Sequence, residues 1–216
     1  MKEEDQLINP ILTEDYRTKE IKLRNQKNQK NQKNQQTMAK RFKITKGDIF
    51  TIPITSDETG FGQLVELPDK YTLIIIVFNY KALTTDIFDV GNIIKKDILF
   101  LGYTNDAKLY HKDWEIIGNR TDNLMNVSMP CFKLGLPNDD YPDGARLVNY
   151  KGDVIANINK SQFDKLSFET EVGPIRFEKA LRAHFGLEEW IPDNYDKILY
   201  EKTLESVKIA EEILES

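Results

Sequence analysis

Hydrophobic and polar residues alternate through much of the middle of the chain, and this alternation predicts strands. In residues 49–54, Phe50, Ile52 and Ile54 share one face at the two-residue period of a strand. Residues 71–80 are apolar on both faces, so we expect them in the middle of a sheet that is covered on both sides. Three further strands are expected at residues 61–67, 98–103 and 114–117. Together these segments predict a strongly bent antiparallel sheet or a small barrel.

Pro53 interrupts the first of these strands. Its nitrogen carries no hydrogen and cannot donate to a neighbouring strand. We therefore expect the strand at residues 49–54 either to lie at the edge of the sheet or to bend at this proline.

The pattern changes after residue 118. Residues 119–144 contain three prolines and are predicted to form a long loop, and residues 146–150 and 153–157 are predicted to form a hairpin. Two helices are expected in the last fifth of the chain, at residues 174–186 and 195–215. Strands that come first and helices that come last predict an α+β fold, in which the helices cover the face of the sheet that would otherwise be exposed.

Each C-terminal helix has one apolar stripe at helical spacing. In the first helix, which Pro174 begins and Gly186 ends, the stripe contains Ile175, Phe177, Ala180, Leu181 and His184. In the second helix the expected packing residues are Tyr200, Leu204, Val207 and Leu214. Glutamates lie largely outside the second stripe, so that stripe is the face expected to meet the sheet.

Charge divides the sequence into a basic extension and an acidic body. Residues 17–41 hold nine basic residues and one acid, a net charge of about +8, while the whole chain carries −5. Within this extension, residues 25–36 repeat Asn-Gln-Lys without one apolar side chain and cannot form a core. We expect residues 1–41 to be a flexible polar extension and residues 42–216 to be a single domain. The lysines of the extension can contact phosphates or the acidic body, or simply keep the extension soluble.

Removal of residues 1–41 is expected to leave the fold intact, because this segment supplies no core side chains. Thermal unfolding of the full and shortened chains checks this prediction. A clear drop in melting temperature for the shortened chain would show that the segment packs on the body.

Composition gives little support to catalysis. Cys131 is the only cysteine, so neither an internal disulfide nor a thiolate zinc site can form, and the chain fits a reducing, cytoplasmic compartment. Two histidines, His111 and His184, are too few for a three-imidazole metal site. A nucleophilic Cys131 would need His184 within hydrogen-bond reach; the alternative is an inert core thiol. We expect no cofactor, no metal and, since the longest apolar run is residues 73–78, no membrane span.

Acidic residues cluster in the predicted long loop, at Asp139, Asp140 and Asp143. Their spacing does not follow the alternating pattern of an EF-hand, which argues against a calcium site. These carboxylates suit the presentation of negative charge to a basic partner, and they suit a merely solvated loop about equally well. Tyr141 lies among them and is the aromatic residue in this loop best placed for exposure.

The opening of the domain resembles that of a known family. Lys46-Gly47-Asp48-Ile49-Phe50-Thr51-Ile52-Pro53-Ile54, followed by Gly60-Phe61-Gly62-Gln63-Leu64-Val65, resembles the start of the immunity protein 26 family of bacterial polymorphic toxin systems. The segments Trp114–Gly118 and Ala180–Gly186, with Glu189 and Trp190, are similar to its tryptophan-bearing strand and its closing helix. The resemblance spans roughly residues 43–200 in separate pieces.

This resemblance implies a non-enzymatic protein that binds a cognate toxin domain and blocks it. A negatively charged body suits a toxin that is basic because it acts on nucleic acid, since opposite net charges accelerate association. Tight inhibition needs a buried aromatic or arginine anchor, and the candidates are Trp114, Tyr141 and Trp190. With Asp139, Asp140 and Asp143, they form the expected partner-binding set, and burial in the core is the competing explanation for the two tryptophans.

Two other interpretations stay open at this point. Gly47-Asp48-Ile49 is also similar to the start of the small barrel of the PemK and MazF ribonuclease toxins, which would make this an RNA-binding or RNA-cleaving protein. An acidic body disfavours nucleic acid, so any such contact would involve the basic extension. The third interpretation is a prophage interaction module that binds no toxin.

Overall fold

Two antiparallel sheets carry the fold in the computed structural model, which describes residues 43–137 and 144–215. The larger sheet has the strand order β4-β3-β2-β1-β5, with β1 at Asp48–Pro53, β2 at Glu58–Glu66, β3 at Thr72–Leu83, β4 at Ile98–Asn105 and β5 at Ile116–Asn119. The smaller sheet has the order β6-β7-β8, with β6 at Cys131–Gly135, β7 at Ala145–Asn149 and β8 at Val154–Ile158. In the described residues neither sheet closes into a barrel, so the bent open sheet is the correct one of the two expected forms.

Short helices connect the strands and two longer ones follow them. The helices are α1 at Val90–Ile93, α2 at Ala107–Tyr110, α3 at Lys160–Lys165, α4 at Ile175–His184, α5 at Pro192–Tyr195 and α6 at Tyr200–Leu214. Single 3₁₀ turns occur at Leu124–Asn126 and Asp196–Ile198. The expected α+β class is therefore confirmed. The proposed domain boundary at residues 41 and 42 lies outside the described residues.

Strand β3 is internal to the larger sheet and apolar on both faces, as predicted. On one face, Ile75 and Val77 belong to a core that includes Phe177 and Leu181 of helix α4. On the other face, alternate residues of β3 belong to a second core, which the α1 region and the residues around the first 3₁₀ turn complete. The two-residue period of the strand thus divides its side chains between two layers of packing.

Pro53 is tolerated in strand β1 although this strand does not lie at the edge of the sheet. Strand β1 lies between β2 and β5, so the expectation of an edge strand is wrong. Thr51 is the last residue of β1 whose amide donates toward the β5 side, to the carbonyl of Glu115. Pro53 is the final residue of β1 and is paired only with Thr59 of β2, so its missing hydrogen costs no bond in the sheet.

The predicted loop at residues 119–144 contains a strand that the sequence pattern did not indicate. Strand β6 pairs with β7 over five residues, from Cys131 opposite Asn149 to Gly135 opposite Ala145. It converts the predicted hairpin of β7 and β8 into a three-stranded sheet. Strand β6 is only five residues long, and the prolines and acidic residues around it made the whole region resemble a loop.

The predicted stripe of the C-terminal helix is only partly correct, since Tyr200 and Val207 are half-buried but the buried positions are others. Thr203 and Ala210 are the buried residues of α6, whereas Leu204 and Leu214 are 46% and 59% exposed. Ser206 accepts the amide hydrogen of Cys131, so this position of the helix lies against strand β6. The expected stripe of α4 is partly wrong too, since Ile175 and His184 are exposed.

Candidate partner-binding surface

Trp114 lies in the core just before strand β5 and is 1% exposed. Its indole stacks on the ring of Phe50 with centroids 5.1 Å apart and an angle of 5° between the planes. The indole Nε1 donates to Oε1 of Glu178, on helix α4, at 2.9 Å. Trp114 therefore joins the larger sheet to the helix that covers it, and its side chain is not presented at the surface.

Glu178 is a carboxylate inside this core, 5% exposed. Besides the indole of Trp114, it is paired with the ammonium of Lys108 at 3.2 Å, and Lys108 also pairs with Asp113 at 3.1 Å. Desolvation opposes the charged form of Lys108, but the hydrogen bonds that its ammonium donates to Asp113 and Glu178, together with the attraction of the two carboxylates, outweigh it and raise the pKa of Lys108. A buried carboxylate is tolerated here because two donors satisfy it.

Replacement of Glu178 by leucine is expected to destabilise the protein by about 1–3 kcal/mol, because the buried indole N–H loses its acceptor. Glu178→Gln keeps an acceptor oxygen and is expected to cost less. Urea unfolding followed by tryptophan fluorescence measures both variants. Equal stability for Glu178→Leu and the parent protein would contradict the role given to this carboxylate.

Trp190 is half-buried between two aromatic rings. Its ring centroid lies 6.3 Å from that of Phe100, nearly parallel, and 5.3 Å from that of Tyr195, nearly perpendicular. Its Nε1 donates to Asp196 at 2.8 Å. Trp190 thus fixes the segment that leads into α6. Its role in binding a partner, like that of Trp114, stays a prediction.

The remaining predicted binding residues, Asp139, Asp140, Tyr141 and Asp143, lie outside the described residues. The chain on both sides of them is described. Gly135 ends β6 opposite Ala145 of β7, so residues 136–144 connect the ends of two paired strands. At φ +79° Gly135 adopts a backbone conformation that side chains other than glycine disfavour, which suits the tight approach of the two strands.

Cys131 and His184 are not brought together. Cys131 is half-buried on β6, its amide donates to Ser206, and burial, with Glu211 nearby, raises the pKa of its thiol. His184 lies at the end of α4, where its ring nitrogen is 2.9 Å from Oδ1 of Asn79. Partial desolvation of the ring lowers the pKa of His184 although the residue as a whole is exposed. An activated thiolate needs the opposite pKa shift at the cysteine.

The described residues contain no group of three or more histidine, cysteine, aspartate or glutamate side chains that could hold a metal ion. Among the same residues, no helix combines the length and the apolar character needed to cross a membrane. The metal site considered for residues 139–143 lies outside them.

Comparison with known proteins gives a match that covers the larger sheet and β6. Residues 45–139 match the model of the family described as Immunity protein 26. This match supports the resemblance seen in the sequence. The matched segment includes all five strands of the larger sheet and β6, and it ends before β7. Helix α4 and Trp190, which also contributed to the resemblance, lie beyond it. Neither the curated proteins nor the solved structures gave a match.

Two exposed leucines precede the acidic residues 139–143 in the chain, and sequence reasoning missed both. Leu134 is 51% exposed and Leu136 is 68% exposed. Phe132, two residues earlier on β6, instead packs against Tyr103 with ring centroids 5.7 Å apart. The two-residue spacing of Phe132, Leu134 and Leu136 is the one sequence signal that could have indicated an extended segment here, although Leu136 lies just beyond the end of β6.

Proposed function

We propose that this chain is an immunity protein that binds a cognate toxin domain directly and blocks it without catalysing a reaction, and that the toxin is a basic, nuclease-like protein. The family match over residues 45–139 carries the proposal. Charge supports the choice of toxin, because residues 42–216 carry a net charge of about −9. A basic partner is attracted to such a surface over about one Debye length, ~8 Å at physiological salt.

The proposed docking surface is the connection between β6 and β7. Asp139, Asp140 and Asp143 supply negative charge there, and Tyr141 is the proposed aromatic anchor. The exposed Leu134 and Leu136, which precede these residues in the chain, add apolar area to the proposed surface. An apolar centre ringed by charged residues is the usual arrangement of a tight interface. Trp190 keeps part of its ring exposed for such contact, whereas Trp114 would act through the fold.

Exchange of Asp139, Asp140 and Asp143 for asparagine is expected to slow association with the toxin and to make the association rate less sensitive to salt. The partner is first captured from the native strain with the full chain and identified by mass spectrometry. Its association rate is then measured over a series of salt concentrations with the parent and the variant. The dissociation rate should change less than the association rate.

A variant with the same change in charge elsewhere serves as the control. Asp193→Asn with Glu212→Gln and Glu215→Gln removes three exposed charges from the C-terminal region. This control should keep most of the parent's salt dependence. Identical kinetics for the parent and the Asp139, Asp140 and Asp143 variant would exclude the connection as the docking surface, while capture of no toxin would contradict the proposed function itself.

The alternative of an RNA-binding or RNA-cleaving protein has one observation in its favour, a groove that carries lysines. Lys133, Lys165, Lys197 and Lys202 line this groove, and phosphate contacts are commonly made by such side chains. The larger sheet of the described residues is open, however, and the two histidines lie away from the groove lining. Apolar side chains also line this groove, and they favour an occupant other than RNA.

A further inference from the structure

A groove of about 460 Å³ lies between the two sheets and beside helix α6. Strand β4 of the larger sheet, strand β6 of the smaller sheet and residues 165–172 form its walls together with residues 196–209. Its volume falls in the range of roughly 300–1,000 Å³ that small-molecule sites occupy. The groove unites the segment matched by the immunity protein family with the C-terminal region that the match does not cover.

The lining of the groove is mostly apolar. Its apolar residues come from every wall, among them Leu101, Phe132, Leu166, Val172, Ile198 and Ile209. Phe168 is 48% exposed and also lines the groove, so an aromatic surface is open to solvent there. A surface of this kind is stabilised by an occupant with an apolar body, because contact removes apolar area from water.

The charge that lines the groove is positive although the protein is acidic. Four lysines line it, against two carboxylates, Asp196 and Glu205. Both carboxylates already have donors: Asp196 accepts from Trp190 at 2.8 Å, and Glu205 pairs with Lys202 at 2.7 Å. The excess positive charge is therefore available to an anion.

Lys133 is the best placed of these lysines. It is half-buried, its ammonium donates to the carbonyl of Phe163 at 3.2 Å, and it lies 4.2 Å and 4.9 Å from the ring centroids of Phe163 and Phe168. All three contacts are with uncharged groups, so they orient the ammonium without neutralising it. An anion bound beside Lys133 would be favoured more strongly than in bulk water, because the surroundings are partly desolvated.

We propose that this groove binds a small amphipathic anion, namely a carboxylate on an apolar chain, with the chain on the apolar floor and the carboxylate beside Lys133. The proposal is independent of the toxin. An RNA strand fits less well, because its backbone carries a phosphate at every nucleotide and the floor offers apolar side chains instead of a continuous cationic track. The groove offers positive charge at Lys133 and apolar surface along the rest of its lining. This combination suits one compact ligand with an anionic end and an apolar chain.

Titration calorimetry with sodium decanoate tests the proposal on the full chain. We expect one decanoate per protein and binding that is about tenfold weaker for decyltrimethylammonium, which has the same chain length and the opposite charge. Lys133→Met keeps an apolar side chain of similar length and is expected to weaken decanoate binding about tenfold. Lys208→Met, an exposed position on α6 outside the lining, should leave decanoate binding unchanged.

Obstruction of the groove gives a second test that does not depend on Lys133. Ile209→Trp adds bulk to the lining and should weaken decanoate binding while circular dichroism and the melting temperature report a folded protein. Absence of decanoate binding, equal binding of decyltrimethylammonium, or unchanged binding by Lys133→Met and Ile209→Trp would each overturn the proposal. Tighter binding of a short oligouridylate than of decanoate, abolished by Lys133→Met, would overturn it in favour of RNA.

Discussion

Replacement of Trp114 by alanine is expected to lower the free energy of unfolding by about 3–5 kcal/mol, the usual cost of removing a large aromatic ring from a core. The reason is specific to this site. The indole fills space beside Phe50 and also donates to the buried carboxylate of Glu178. Alanine would leave a cavity and would remove one of the two donors that satisfy Glu178. Urea unfolding monitored by circular dichroism measures the loss.

Two companion variants separate the contributions of Trp114. Trp114→Phe keeps a ring for Phe50 but not the Nε1 donor, so its stability should fall between those of the parent and the alanine variant. Tyr110→Ala removes an aromatic ring that is 53% exposed, and it should change stability by less than about 0.5 kcal/mol. A loss below about 1 kcal/mol for Trp114→Ala would contradict the core role. Weaker toxin binding by a fully folded Trp114→Phe would instead support the predicted role in binding.

Most of the larger sheet could be predicted from the sequence because its strands carry their own signals. The run of β-branched residues in β3 and the alternation in β1 belong to single segments and need no knowledge of the partners. The hairpin of β7 and β8 was equally local, since Lys151-Gly152 separates its two strands. The class of fold followed from the order of such segments along the chain.

Features that depend on contacts between distant segments could not be predicted. Helix α6 meets strand β6 where Ser206 accepts from the amide of Cys131, a contact over 75 residues of chain. The burial of Glu178 likewise depends on Trp114 and Lys108, which are distant in sequence. A hydrophobic pattern assigns glutamate to the solvent face of a helix. It therefore misses a carboxylate that is buried in the core and paired there with a lysine and an indole N–H.

The candidate site was predictable only in part. Acids and a tyrosine in a long connection are visible in the sequence, but the exposure of Leu134 and Leu136 beside them depends on where β6 ends. The groove was not visible at all, because its lysines come from β6, α3, the second 3₁₀ turn and α6. Residues gathered from four elements have no common spacing along the chain.

Substitution of Gly62 is expected to have the second large effect, because this residue of strand β2 lies against the ring of Phe50. It is opposite Phe50 in the register of β1 and β2. A Cβ at this position would lie 2.5 Å from Cε2 and 2.7 Å from Cζ of the Phe50 ring, well inside contact distance. We expect Gly62→Ala to cost about 1–3 kcal/mol and Gly62→Val about 3 kcal/mol or more, although valine is the better strand former.

The same substitutions at Gly173 provide the matched control. A Cβ there would meet only Ile175, at 4.0 Å, so Gly173→Ala and Gly173→Val should change stability by less than about 0.5 kcal/mol. A double-mutant cycle identifies the cause. Phe50→Leu in the Gly62→Ala background should cost less than Phe50→Leu alone, because the smaller side chain relieves the clash. Additive losses in this cycle would show that Gly62 is required for a reason other than the ring of Phe50.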